Sequence, residues 1–430
     1  MLSSPLQLFV IKLGASELYL GLLSFFVSYT GFFYLMSMYK IQVVGKSVVL
    51  FKGWFITALI MIPMALLPAF AIMMPDKNQV ILWIVLLIVA ARGISDGYGS
   101  SAWFPILQDN VPARITGKFF ARFRIFWQTS ILLLVWTMSF YLGKEATYGK
   151  FTIIFTVGLI FLFVRAQACK RICELPPTGE KPESGLLKRI SGLLRHQPLR
   201  IYLVYVIMYN LAISITPPFQ LKMLKNYGYS DGYILLATSM IPLSAIFTLR
   251  FWGKISDRYG NRSVFSTCVL GNMLTIFLWI IIDDGGFSRF FVFVLYFMWG
   301  MFTAGNGIAQ TRHILHSTPR TDQAAIVLTN LLSSISLATA PLLGGIFLSL
   351  SRDISVKSGA VSFDNYHILF LLSTLLFIVP YKLRRKLRIT EEDSTLYVMS
   401  AILRPLRQAI DSFIKVQPDN MDDDDNGQKS

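Results

Sequence analysis

Arg92, Asp96, Ser100 and Trp103 follow one another at i, i+4, i+8 and i+11 inside an apolar run, so a helix carries them on one face. A cation and a carboxylate one turn apart are natural partners, and an ionisable group at that depth in an apolar helix is costly unless it is paired or hydrated. Such a pair can exchange a proton or hold a polar solute; the plainer reading is a structural ion pair. Two more stripes have helical spacing: Tyr296, Trp299, Thr303, Asn306 and Gln310, and Tyr202, Tyr205 and Tyr209 with Asn210 alongside. Their plainer readings are interfacial aromatic anchors and helix–helix hydrogen bonds. No nucleophile, base and metal-ligand cluster accompanies them, so the sequence points away from an enzyme and calls for no cofactor or metal. Cys169 and Cys173 lack the second Cys or His cluster of a tetrahedral site and, with Cys268, read as free thiols on the reducing side.

The elements that must position these stripes are membrane spans. A chain of 430 residues that is 54% hydrophobic and 15% charged cannot place that much apolar surface inside a soluble core. Apolar runs long enough to cross a bilayer occur at 17–39, 52–74, 80–103, 124–143, 150–167, 199–221, 232–252, 263–282, 289–310, 325–350 and 366–382. The formal charge of +16 does not mark a nucleic-acid partner. Its Lys and Arg residues cluster in alternate connections, which places those connections, the central linker and the C-terminal tail in the cytoplasm of a cell (inner or plasma) membrane. The basic–aromatic runs Gly117 to Trp127 and Tyr381 to Arg388 suit anionic lipid headgroups. The acidic end of the tail reads as solvated and disordered.

The chain repeats itself. "SSPLQLFVIKLGASELY" from Ser3 matches "TPPFQLKMLKNYGYSDGY" from Thr216 at Pro5/Pro218, Gln7/Gln220, Lys12/Lys225, Gly14/Gly228, Ser16/Ser230, Glu17/Asp231 and Tyr19/Tyr233, with one inserted residue. "GYGSSAWFPILQDNVP" and "GNGIAQTRHILHSTP" each set a GxG about a dozen residues before a proline. Two six-span halves in parallel order follow. The expected domains are 1–167, a linker 168–198 with a short amphipathic helix at Leu186–Arg195, a second half 199–383 and a tail 384–430. Residues 1–13 read as the C-terminal end of a first span whose beginning is absent, giving eleven complete spans plus a partial one; the alternative is a short interfacial segment.

"GKISDRYGNRSV", Gly253 to Val264, resembles the loop signature G-x-L-x-D-R-x-G-R-R of the major facilitator superfamily. The resemblance implies a 6+6 helical bundle, a monomer, and secondary transport of a small-molecule solute by alternating access. Gly253, Asp257, Arg258, Gly260 and Arg262 form its conformational loop. Asp257 is placed to cap the next helix. The resemblance also implies a cavity lined by the first, fourth, seventh and tenth spans. There Arg92, Asp96, Ser100, Trp103, Tyr205, Tyr209, Asn210, Trp299, Thr303 and Asn306 are the candidate contacts, with protons as a partner through Arg92 and Asp96. "APLLGG" at Ala340–Gly345 is similar to the family's G-P-x-x-G-G packing motif. The earlier loop "YKIQVVGKSVV" departs from the pattern, because Val43 falls opposite Asp257. That departure keeps a second reading open: a non-transporting or decayed member with a sensor, assembly or scaffold role.

Overall fold

The computed structural model describes residues 3–33, 40–41, 43–111, 116–172, 194–195, 197–317, 323–352, 355–358 and 361–387. Most of the expected linker helix at Leu186–Arg195, Cys173 and the tail beyond Leu387 lie outside them. A first group of helices comprises α1 (Ser3–Lys12), α2 (Glu17–Ser28), α3 (Lys46–Ile60), α4 (Ile62–Met73), α5 (Asn78–Ser100), α6 (Trp103–Asn110), α7 (Thr116–Leu142) and α8 (Tyr148–Cys169). A second group comprises α9 (Gln197–Ser214), α10 (Pro217–Asn226), α11 (Asp231–Thr238), α12 (Met240–Leu278), α13 (Gly286–Ser317), α14 (Gln323–Leu350), α15 (Asn365–Leu376) and α16 (Ile378–Leu383). Among the described residues nine helical stretches are long and apolar enough to cross a bilayer, and Glu17–Phe33 is a shorter apolar helix. The longest, Asp231–Ile281, breaks at Gly260, where φ is 77°. The protein is a multi-pass, helical membrane protein.

Beside the helices the described residues include one short hairpin. Strands β1 (Ser355–Ser358) and β2 (Val361–Asp364) pair antiparallel, Ser355 opposite Asp364.

The two matched stretches fold alike. Helix α1 ends where Gly14 takes φ 88°, and the Ala15 N–H closes back on the Val10 carbonyl at 3.0 Å. Helix α10 ends where Gly228 takes φ 78°, with the Tyr229 N–H on the Leu224 carbonyl at 3.0 Å. This closure needs a residue tolerant of positive φ, which is why glycine stands at both places. Ser16 then caps α2 by accepting the Tyr19 N–H, and Ser230 caps α11 by accepting that of Tyr233, each at 3.2 Å. The inserted residue falls between lysine and glycine, so the lysines reach different partners. Lys12 Nζ donates to the Ala146 carbonyl at 2.5 Å, whereas Lys225 Nζ lies 2.8 Å from Asp231 Oδ1. A second matched pair of glycines, Gly45 (φ 102°) and Gly260 (φ 77°), turns the chain into the following helix in each group.

The groups meet through α2 against α14 and through α7 against α11. Small residues allow the first contact: a Cβ on Gly21 would lie 2.6 Å from the Pro341 carbonyl oxygen, and one on Gly345 would lie 2.8 Å from that of Glu17. In the second, the Gly232 N–H donates to the Gly143 carbonyl at 3.1 Å and Ser139 Oγ to that of Gly232 at 2.6 Å.

Candidate functional site

The stripe on α5 is half of a larger cluster. Arg165 of α8 donates through Nη2 to Asp96 Oδ1 at 3.2 Å, and its guanidinium lies over the Trp54 ring, 3.4 Å from the centroid. Trp54 Nε1 donates to Ser100 Oγ at 3.2 Å, and the Trp54 and Trp103 rings are 5.8 Å apart. Asp96, Ser100 and Trp103 therefore converge, around two residues from other helices that helical spacing alone did not single out. The carboxylate's partner is Arg165 and not Arg92, which corrects the expected pairing. Helical spacing makes Arg92 a possible partner for Asp96, but Arg165 on a neighbouring helix takes the carboxylate instead. Arg92 remains half-buried within electrostatic range of Arg165. The cluster thus holds two cations and one carboxylate on an aromatic floor, an arrangement able to bind a polar or anionic group or to pass a proton.

The stripes of α9 and α13 join in a second network. Tyr205 donates to Asn306 Oδ1 at 2.7 Å, while Asn272 of α12 donates to the Tyr209 hydroxyl at 2.9 Å and accepts from Thr303 at 3.5 Å. Tyr205, Tyr209, Asn272 and Asn306 are all buried, as are Asn210 and Trp299. The pairing across helices satisfies groups that would be costly unpaired in hydrocarbon. Asn272 is the hub that lies outside the three stripes, on α12 among other buried polar residues such as Thr267 and Thr275. His313 is a buried residue of α13, its ring 4.5 Å from that of Tyr202.

At the loop motif, α12 continues through Gly253, Asp257 and Arg258 and bends at Gly260, ahead of Arg262. Asp257 does not cap the next helix; its carboxylate is held by Arg312 Nη2 of α13. The matched position, Val43, is 52% exposed and supplies no acceptor.

A third set of polar contacts ties the two groups together, and it lies at the end opposite the basic connections. Lys222 Nζ donates to the Ala15 carbonyl at 2.6 Å, while Glu17 accepts from Arg352 at 3.3 Å and from the Tyr366 hydroxyl at 3.1 Å. Trp136 Nε1 donates to Ser239 Oγ at 2.9 Å. These hydrogen bonds, with those at Gly143 and Gly232, join the two groups at this one end.

Residues 201–396 match the family model of the Major Facilitator Superfamily. No curated protein matches the sequence. Solved structures share the fold over nearly the whole chain. A variant of the nucleoside transporter NupG is 13% identical with a TM-score of 0.68, covering 90% of this chain and 94% of that one. A D-xylose-proton symporter is 13% identical with a TM-score of 0.62, over 91% and 92%. The xylose transporter XylE from E. coli, in an inward open conformation, is 13% identical with a TM-score of 0.62, over 90% of each chain. The match to the family model lies in the second group of helices, and the fold of these solved membrane transporters is shared over nearly the whole chain.

Proposed function

We propose that the protein moves a small polar organic solute across the membrane by alternating access between two six-span halves, residues 1–167 and 199–383, joined by the linker 168–198 and followed by the tail 384–430. We assign the basic connections, the linker and the tail to the cytoplasm, because Lys and Arg cluster in alternate connections. The observation that carries this reading is where the groups touch. Their polar contacts gather at the end opposite the basic connections, as expected of a carrier closed outside and open inside. The neighbours' nucleoside and xylose cargoes make neutral ring-bearing solutes the first to try.

The solute path runs beside the Asp96–Arg165–Trp54 cluster. Asp96 is the group we assign to proton coupling, because a carboxylate under a guanidinium can be neutralised and released as its partner moves. Tyr205, Tyr209, Asn210, Trp299, Thr303 and Asn306 support the wall of the same path from the second half. Purified protein in liposomes, offered labelled nucleosides and pentoses under an inward proton gradient, tests both points. Uptake abolished by Asp257→Asn at normal abundance marks a transporter, and gradient-driven uptake unaffected by Asp96→Asn removes the coupling role. The second reading, a scaffold without transport, draws on Val43 in place of an acid; it predicts no uptake and indifference to Asp257→Asn.

A further inference from the structure

A concave site of about 330 Å³ opens at the basic end of the first group, between the start of α3, the residues before it and α5. That volume is at the lower end of the roughly 300–1,000 Å³ typical of small-molecule sites. Val43, Val44, Val48 and Val49 form its apolar walls, with Lys40 and Lys52 at its rim and Tyr98 behind. The Lys40 ammonium stands 5.7 Å from the Tyr98 ring centroid. Among the described residues neither lysine has a carboxylate partner. Val43 and Val44 are 52% and 46% exposed, which leaves an apolar surface open beside two uncompensated cations.

The matched loop differs from this one in the residue that stands beside the glycine turn. Aligning Gly45 with Gly260 places Lys40 opposite Lys254 and Val43 opposite Asp257, with one residue fewer before the glycine. In the second loop the acid is present and engages Arg312. In the first a valine stands in its place and adds to the apolar wall beside Lys40 and Lys52. We propose that this site binds an anionic phospholipid from the surrounding bilayer, its phosphate between Lys40 and Lys52 and the start of an acyl chain along Val43 and Val44. The depth fits, since basic connections of a multi-pass protein lie at the headgroup level. The walls favour a lipid over a free anion, because a small hydrated phosphate gains nothing from four valines. The proposal does not depend on transport.

Native mass spectrometry of the full-length protein in detergent, titrated with phosphatidylglycerol or with phosphatidylcholine of the same acyl chains, reads occupancy directly. The wild type is expected to prefer phosphatidylglycerol, and Lys40→Gln/Lys52→Gln to bind it about thirty-fold more weakly, two lysines' worth of attraction to an anionic headgroup. Lys40→Arg/Lys52→Arg should retain binding, which keeps the test decisive if the glutamine variant fails to fold. Arg385→Gln/Lys386→Gln, an equal charge loss elsewhere on the basic rim, should stay within about two-fold of wild type. Unchanged phosphatidylglycerol binding in the glutamine variant overturns the site. So does an equal loss in the Arg385/Lys386 variant, which means a diffuse charge effect. Displacement by millimolar glycerol phosphate overturns the lipid in favour of a free anion.

Discussion

Asp96 accepts from Arg165 rather than from Arg92, and the guanidinium's second partner is the face of Trp54. An ion pair and a cation–π stack on one side chain act together, so Arg165→Ala should cost roughly 1–2 kcal/mol of stability. Arg92→Ala should cost less than half as much. Arg165→Lys should recover only part of the loss, because an ammonium cannot lie flat on an indole. Thermal unfolding of the detergent-purified variants ranks the three; Arg92→Ala as the most damaging would return Asp96 to Arg92. Helical spacing brought out Asp96, Ser100 and Trp103 because they share one face of one helix. Trp54, Arg165 and Asn272 stayed hidden for the complementary reason: period shows which way a side chain faces, but not which helix stands there. Rings of α9 and α12 flank His313, again a contact that only the packing of separate helices reveals.

The contact between α2 and α14 depends on side chains that are absent. Gly21 and Gly345 meet almost backbone to backbone, with no room for a methyl group on either. Gly345→Val should therefore push α2 from α14 and loosen the Glu17 contacts with Arg352 and Tyr366. The expected readout is faster labelling of an Ala15→Cys reporter, buried in the parent, by a membrane-impermeant maleimide. Gly253→Ala is the control, since a Cβ there meets nothing within 4 Å. If both substitutions leave the labelling rate unchanged, the α2–α14 packing does not close this end. The motif "APLLGG" already marked α14 as a helix built for close approach, yet its partner could be found only in three dimensions. The elements themselves were legible wherever apolar length was the signal. What length did not show were the breaks at Met61, at Ile215 and Thr216 ahead of the paired prolines, and at Phe377. The hairpin was missed too, because a strand of four residues is faint beside runs of twenty apolar ones.

Over the whole molecule the most legible feature was the repeat, because glycines with positive φ are hard to substitute. Gly14 with Gly228, and Gly45 with Gly260, account for four of the five such glycines among the described residues. What the repeat could not reveal is how its copies differ in use. Glu17 binds across to the second group through Arg352 and Tyr366, whereas its counterpart Asp231 stays with Lys225 in its own group. One side of the contact between groups is therefore ionic, and the other, at Gly143 and Gly232, is backbone. If alternating access operates, the ionic side must break for the outer end to open, and a ligand can drive that only by binding the two states unequally. Removing the charge at Glu17 should bias the protein toward outer opening without any ligand. Spin labels at Asn110 and Thr311, near the basic ends of α6 and α13, should report a shorter distance in Glu17→Gln than in the parent. A second pair at Lys144 and Arg352, at the opposite end, should lengthen in step. A lengthened outer pair with an unmoved inner pair would mean local fraying, and no change in either would mean that Glu17 does not hold the two groups closed.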